Sequence, residues 1–243
     1  MKRLFISLAI LAGISLSSCN DSFLEKTPVT DLTENNAFNS YDNFKAFMWP
    51  CYEMFTNNTI RTSLQGFGQD GQYKGDMAAG YFQQKYESGY NEFAYQTVAS
   101  VASGNGWDFK SFIRRVNIML SHIDNSSMTE AQKDHWRAVG YFFHSFWYME
   151  LIDRFGDVPW VDQVLQEDSP EAYGPRVDRK TVADKVLERL QWAEQNIGNF
   201  TSQDGDNTIN QDCVRAVISR FGLREGTWRK YHELGDAEKY LQE

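Results

Sequence analysis

The sequence predicts an all-α fold, with helix pairs separated by long, loop-rich insertions. Three observations lead to this prediction. Apolar residues recur at i, i+3 and i+4 in several segments. Capping residues stand at the starts of these segments, and no alternating apolar–polar run is long enough to predict a strand. Aromatic residues make up 15% of the 243-residue chain, which is too many for a disordered protein.

The first predicted helix covers 40–55, "SYDNFKAFMWPCYEMF". Ser40 is placed to cap its start. Pro50 falls inside the pattern and is expected to kink or interrupt the helix. The apolar positions share one helical face: Phe44, Phe47, Met48, Cys51 and Phe55.

The central predicted helix begins at a capping box formed by Thr129 and Gln132 and ends near residue 155. Gly156 can adopt the left-handed backbone conformation that ends many helices, and Pro159 prevents the helix from continuing. Because this segment is apolar nearly all round, we expect it to lie in the core, with Phe142, Phe146 and Met149 pointing inward. An amphipathic helix precedes it, with one apolar face: Phe112, Ile113, Val116, Met119, Leu120 and Ile123.

Two further helices are predicted in the C-terminal half. The first carries an apolar stripe that ends at Gly198: Val182, Val186, Leu190, Ala193 and Ile197. Thr208 and Gln211 form a second predicted capping box, which opens the helix carrying Val214, Val217 and Phe221. The terminal "LGDAEKYLQE" starts another helix, and its beginning resembles the second helix of a tetratricopeptide repeat. The predicted fold is therefore one of tetratricopeptide-like helix pairs.

The N-terminus has the layout of a secretory signal. Lys2 and Arg3 precede the apolar run "LFISLAILAGISL", and "LSSC" resembles a bacterial lipobox. We predict a lipoprotein signal peptide at 1–18, lipidation of Cys19, and a lipid anchor and tether over 19–39. The alternative is an ordinary cleavable signal with an incidental cysteine.

The charge and the remaining cysteines exclude several classes of protein. The chain carries a net charge of −9, or about −11 once Lys2 and Arg3 leave with the signal, which argues against nucleic-acid binding. Cys51 and Cys213 both fall on apolar helix faces. We predict free thiols at these two positions rather than a disulfide.

The segment 66–107 is rich in glycine and aromatic residues, without helical periodicity. Long irregular segments in compact domains are often functional. We therefore predict that this segment holds the ligand contacts, with five residues as the first candidates: Tyr73, Asp76, Tyr81, Tyr90 and Trp107.

No pattern predicts catalysis, a cofactor or a metal site. Asp70 and Asp76 could suggest calcium, but oxygen ligands at their spacing are common by chance. In the "DGDN" at 204–207, Arg215 stands at the position where a calcium loop needs its bidentate glutamate. His135 and His144 share one helix without a catalytic context, which favours a structural role. Glu150 and Asp153 share a helix face, and we interpret them as helix-end charges rather than as a glycosidase pair.

The order of these segments resembles the N-terminal half of the SusD/RagB family of nutrient-binding lipoproteins of the Bacteroidetes outer membrane. The similar segments are "FLEKTP", "WDFKSFIRRVNIML", "GYFFHSFWYMELIDRFGDVPWV", "RVDRKTVADKVLERLQWAEQNI" and "INQDCVRAVISRFGLREGTW". The sequence departs from the family pattern at Pro50, at His144 (usually arginine) and at Ser145 (usually alanine). Family members are longer, so the resemblance implies that 40–243 is an N-terminal helical domain truncated at its C-terminus.

The resemblance implies a lipid-anchored, cell-surface protein that binds glycans or other nutrients without catalysis. Its partner would be a SusC-like, TonB-dependent outer-membrane transporter. Two alternatives stay open at this point: a helical-repeat adaptor that binds a protein, and a lipid-anchored glycoside hydrolase. The implied truncation further predicts that Tyr240 and Leu241 face a missing neighbour, which would leave the chain marginally stable.

Overall fold

A computed structural model describes residues 37–55, 107–205 and 207–243. Within these ranges the chain forms helices and no strand. Its only extended pairing there is an isolated antiparallel bridge between Val158 and Val177. The predicted all-α class is confirmed. The α-helices are α1 (Tyr41–Met48), α2 (Phe112–His122), α3 (Glu130–Phe155), α4 (Arg179–Asn196), α5 (Thr201–Asp204), α6 (Gln211–Tyr231) and α7 (Ala237–Leu241), with 3₁₀ helices at Trp49–Phe55 and Pro170–Tyr173.

The helix predicted over 40–55 is interrupted next to Pro50, as expected. The α-helix ends at Met48, and the chain continues as the 3₁₀ helix Trp49–Phe55. Proline lacks the N–H that the next α-helical hydrogen bond requires. Ser40 occupies the N-cap position, but its side chain makes no capping hydrogen bond, and its backbone carbonyl accepts from the N–H of Phe44. The predicted side-chain cap at Ser40 is therefore wrong.

Helix α3 is the central element of the core. Its capping box is confirmed: the Gln132 N–H donates to the Thr129 hydroxyl, and the Thr129 N–H donates to the Gln132 side chain. At the other end Gly156 has φ 68° and ψ −111°, so φ is positive as expected but ψ lies outside the left-handed helical region. The three residues predicted to point inward are all buried: Phe142, Phe146 and Met149.

Helix α3 packs mainly against α4 and α2. The predicted stripe of α2 is buried except for Leu120, which is half-buried. On α4 the predicted stripe is also buried, and the helix ends at Asn196, two residues before the predicted stop at Gly198. Ile197 is already extended there. Three helices therefore meet through the apolar faces that periodicity identified.

The start of α6 differs from the prediction. Asn210 is the N-cap, and its side-chain oxygen accepts from the N–H of Cys213 at 3.0 Å. Thr208 instead donates its hydroxyl hydrogen to the carbonyl of Gly205, and the Gln211 amide donates to the carbonyl of Glu194. The predicted capping box of Thr208 and Gln211 is therefore wrong. Asparagine is as good a cap as threonine, and Asn210 directly precedes the first residue of α6.

Both described cysteines are free thiols, as predicted. Cys51 is fully buried, and burial raises the pKa of its thiol to about 12. Cys213 is half-buried. Cys51 therefore behaves as a small core residue rather than as a nucleophile.

The C-terminal helix α7 packs against α6 in this chain. A Cβ at Gly222 would lie 2.5 Å from the Tyr240 carbonyl oxygen, and one at Gly226 would lie 2.6 Å from the Leu241 side chain, so the two glycines permit the close approach. Tyr240 is fully buried and packs edge-on against Phe221. The expectation that Tyr240 faces a missing neighbour is therefore wrong. Leu241 is 44% exposed.

A network of charged side chains holds α4, α6 and α7 together. Arg229 is fully buried, and its Nε donates to Glu225 Oε1 at 2.8 Å. Its Nη2 donates to Asp184 Oδ1 at 3.1 Å and to the Tyr240 hydroxyl at 3.0 Å. Arg179 donates to the second oxygen of Glu225 at 2.8 Å. Each carboxylate thus meets a cation, which is the condition under which buried charge is tolerated.

We expect Arg229→Met to lower the free energy of unfolding by about 3–5 kcal/mol, because it removes the cation shared by two carboxylates. Lys239→Ala is the matched control: Lys239 also contacts Asp184, at 3.3 Å, but is 53% exposed, so its loss should cost about 1 kcal/mol or less. Urea unfolding of both variants at pH 7 measures the difference. Equal effects would contradict the assignment of Arg229 as the centre of the network.

Candidate functional site

Most of the predicted site residues lie outside the described residues. This applies to the lipidation site Cys19 and to four of the predicted ligand contacts, Tyr73, Asp76, Tyr81 and Tyr90. Asp70, which was rejected as a calcium ligand, lies there as well. The fifth predicted ligand contact, Trp107, is described.

Trp107 is half-buried at the C-terminal end of α3. Its ring packs edge-on against Phe109 and Phe155, with centroids 5.3 and 5.0 Å apart. The Arg176 guanidinium carbon lies 4.8 Å from its ring centroid. These contacts fix the last residue of the 66–107 segment to the helical core, and a ligand could use only the part of the indole that they leave open.

One large cavity lined by described residues is mainly apolar. We call it the Phe146 cleft, and its volume is about 510 Å³. The predicted core residues Phe142, Phe146 and Met149 form part of its wall. Charged groups from α3 and α6 also line it: Glu150 is buried, and Arg224 forms an ion pair with Asp153. Its lining is Tyr52, Phe55, Phe142, Phe146, Met149, Glu150, Asn207, Thr208, Ile209, Cys213, Ala216, Val217, Arg220 and Arg224.

A second cavity depends on the 158–163 strap, the non-helical segment that follows α3. Val158 at its start is paired with Val177, and backbone groups of the residues that follow are hydrogen-bonded by side chains. Asn117 on α2 donates to the carbonyls of Val161 and Gln163, at 3.1 and 3.0 Å. The Tyr148 hydroxyl donates to the Pro159 carbonyl and accepts from the Val161 N–H, at 2.9 and 2.7 Å. The strap is therefore held on α2 and α3 by side chains.

His144 completes this attachment. Its Nε2 donates to the Val161 carbonyl at 2.9 Å, which leaves Nδ1 as the unprotonated nitrogen. Burial lowers the pKa of His144 well below its ordinary value, and the nearby charge of Arg189 lowers it further. His144 is thus a neutral hydrogen-bond donor that positions the strap, which agrees with the structural role predicted for it.

The strap and two helices enclose the second cavity, which we call the Trp160 groove. Its volume is about 260 Å³. Four of its residues follow the i, i+3, i+4, i+7 spacing on α4 and so share one face. The remaining residues come from α3 and from the strap. Its lining is Tyr141, Trp160, Asp162, Lys185, Glu188, Arg189 and Trp192.

Cations hold the rings of the Trp160 groove in place. The Arg189 guanidinium carbon lies 4.8 Å from the Tyr141 centroid and 4.9 Å from that of Trp160. Lys185 Nζ lies 5.3 Å from the Trp160 centroid. Tyr141 and Trp192 meet edge-on, with centroids 5.2 Å apart and ring planes at 71°. Such cation–ring and ring–ring contacts favour a fixed arrangement.

Polar groups accompany these rings. Trp160 Nε1 donates to Asp162 Oδ2 at 2.9 Å, and the Asp162 side chain is 48% exposed. Glu188 is exposed and Lys185 half-buried. The sequence analysis missed this groove. The spacing along α4 could have revealed one wall, but no local signal places Trp160 beside it.

His135 and Asp204 belong to a different polar cluster, which ties α1 to α5. Asp204 accepts from the Tyr41 hydroxyl and pairs with Lys45 Nζ at 3.2 Å and with His135 Nε2 at 3.7 Å. The other ring nitrogen of His135 lies 3.1 Å from the Gly198 carbonyl oxygen. Burial lowers the pKa of His135, against the opposing effect of Asp204. These contacts give Asp204, the first aspartate of "DGDN", a structural role.

In the part of the chain that the structure describes, no group of three or more His, Cys, Asp or Glu side chains is arranged to hold a metal ion.

None of the helices described is long and apolar enough to cross a membrane.

The chain matches a SusD-like family model over residues 22–223, and this model is described as starch-binding and associating with the outer membrane. No curated protein matches the chain.

Solved structures of Bacteroides proteins share the helical fold. A SusD-like protein of Bacteroides fragilis is 18% identical, with a TM-score of 0.56, and the match covers 84% of this chain and 39% of that one. A SusD-like carbohydrate binding protein from Bacteroides vulgatus is 16% identical, with a TM-score of 0.56 and coverage of 84% and 44%. A SusD homolog from Bacteroides thetaiotaomicron is 15% identical, with a TM-score of 0.55 and coverage of 82% and 38%.

At these identities the structural likeness shows the fold alone. It confirms the predicted tetratricopeptide-like helical architecture. This chain spans less than half the length of each of the three solved proteins.

The state of His144 predicts a pH dependence of stability. A histidine kept neutral by folding contributes stability above its unfolded pKa of about 6.5, and this contribution is lost as the pH falls below that value. We expect His144 to account for a loss of up to about 2 kcal/mol between pH 6.5 and pH 5. His144→Gln keeps an N–H donor for Val161 but does not titrate, so the variant should lose less stability over this interval. Urea unfolding at pH 7 and pH 5 measures this, and parallel pH profiles would contradict it.

Proposed function

The chain belongs to the SusD-like family, and we propose that it is a cell-surface lipoprotein that binds glycans for uptake through a SusC-like, TonB-dependent transporter. The observation that carries the proposal is the family match, which takes in α1 to α5 and most of α6. The helical domain proposed for residues 40–243 provides the rigid support that a binding site needs.

Attachment to the outer membrane is proposed through the N-terminus. The signal at 1–18 would be removed, Cys19 would carry the lipid, and 19–39 would form the tether. The charge of the chain supports this arrangement, since a protein of net charge −9 has no general attraction to anionic lipid headgroups. A covalent lipid supplies membrane affinity without a basic surface.

The proposed ligand contacts are in the 66–107 segment, with Tyr73, Asp76, Tyr81, Tyr90 and Trp107 as the residues to test first. Sugars present weakly apolar CH faces to aromatic rings and hydroxyls to carboxylate and amide groups. The fixed position of Trp107 on the end of α3 supports this proposal, because a ring that is already ordered costs little entropy to use. We propose binding without catalysis.

We expect Cys19→Ala to release the protein from the membrane fraction or to block its maturation, because the mutant has no thiol to acylate. Fractionation of cells expressing parent and mutant, followed by labelling with a radioactive fatty acid, measures both effects. A mutant that fractionates and labels like the parent would contradict the assignment of Cys19.

We expect the full chain to bind at least one neutral oligosaccharide in calorimetric titration with a panel that includes maltoheptaose and laminarihexaose. Trp107→Ala should weaken that binding about tenfold, in line with about 1.4 kcal/mol for the loss of one stacked ring. Tyr173→Ala is the control, because Tyr173 is 80% exposed on the 3₁₀ helix Pro170–Tyr173. A chain that binds no member of the panel would contradict the proposed function.

A further inference from the structure

We propose that the Trp160 groove is a second carbohydrate-binding site, built from residues outside the 66–107 segment. This inference rests on the proposed function and extends it by naming a site and a ligand class. The ligand class is a short stretch of a neutral oligosaccharide. Three aromatic rings, two carboxylates and two cations converge on this groove.

The rings provide a shaped wall. Tyr141 and Trp192 stand nearly perpendicular to each other, and Trp160 contributes a third ring from the strap. All three side chains are half-buried, so each leaves part of its surface toward solvent. An aromatic corner of this kind can contact two sides of a pyranose ring, where the CH groups are least hydrated.

The wall is rigid before any ligand arrives. Tyr141 and Trp192 project from helices, and Arg189 lies between the rings of Tyr141 and Trp160. The strap that carries Trp160 is fixed by the hydrogen bonds of Tyr148 and His144 described above. Because the rings are already ordered, little conformational entropy is lost when a ligand packs against them.

The polar groups suit hydroxyls rather than a charged ligand. Asp162 Oδ2 already accepts from Trp160 Nε1. The acceptors offered to a ligand are therefore the other oxygen of Asp162 and the carboxylate of Glu188, while Lys185 offers ammonium hydrogens as donors. With Arg189, the groove holds two positive and two negative side chains, so its formal charge is zero. An acidic sugar would gain no net attraction here, whereas a neutral sugar can hydrogen-bond to both kinds of group.

Its size limits the ligand to a short stretch of chain. A volume of about 260 Å³ lies just below the range of roughly 300–1,000 Å³ that is usual for ligand pockets. A site this small binds weakly alone, but it can raise the overall affinity for a long polysaccharide that also occupies another site. The Phe146 cleft is larger but mainly apolar, and so fits a sugar less well.

Binding in the groove can be measured from the indole N–H signals of Trp160 and Trp192 in the NMR spectrum of the full ¹⁵N-labelled chain. Trp→Phe variants assign these signals. Maltoheptaose and laminarihexaose are the probes, and calorimetry is run in parallel. We expect at least one probe to shift both signals, and Trp192→Ala and Glu188→Gln each to weaken the binding reported by Trp160 by fivefold or more.

Trp228→Ala is the matched control, because Trp228 is 42% exposed on α6 and lies outside the groove. It should leave the Trp160 titration unchanged. Trp192→Phe, which keeps a smaller ring, should retain part of the affinity and shows that any loss in Trp192→Ala comes from the ring rather than from unfolding.

The outcomes separate the two proposals. Calorimetric binding without any shift of the Trp160 and Trp192 signals would overturn the groove and leave the proposed function standing. Titrations of Trp192→Ala and Glu188→Gln that match the parent would also overturn the groove. A chain that binds neither probe in calorimetry nor any other member of the panel would overturn the proposed function and the groove together.

Discussion

The burial of α3 on most of its sides is the constraint on which the rest of the structure depends. A helix in this position must satisfy its polar side chains inside the protein, since water cannot reach them. Nε2 of His144 and the hydroxyl of Tyr148 do so by hydrogen-bonding the backbone of the 158–163 strap. The strap in turn carries Trp160 and Asp162 against α4. One packing requirement thus builds both the core and the wall of a surface groove.

Charged side chains act in the same way at the edges of the core. Arg229 is buried with Glu225 and reaches Asp184, which fixes α6 and α7 to α4. Asp204, with Tyr41 and Lys45, fixes the first helix to α5. In both clusters a carboxylate is shared by groups from different helices. Their positions favour structural roles.

A helical domain with the two proposed aromatic sites would suit the capture of a polymer. Trp107 lies at the end of α3, and the Trp160 groove lies between the strap, α3 and α4, so both positions depend on the central helix. A polysaccharide repeats the same units along its length and can engage separate sites at once, which strengthens weak contacts by proximity. Lipid attachment at Cys19 would keep such a protein at the membrane where its proposed transporter lies.

The sequence by itself determined the features that local physics controls. These include the interruption at Pro50, the capping box at Thr129, the bounds of α3 and the apolar stripes of α2 and α4. The predicted cap of α6 was wrong because Asn210 and Thr208 are both good capping residues by local criteria. The position at which α6 begins in the packed structure selects Asn210. Tertiary structure alone decided that Tyr240 is buried against Asp184 and Arg229, and that Trp160 lies beside Tyr141 and α4. Side chains so far apart along the chain meet only when the helices pack, and helical periodicity identifies a buried face without identifying its partner.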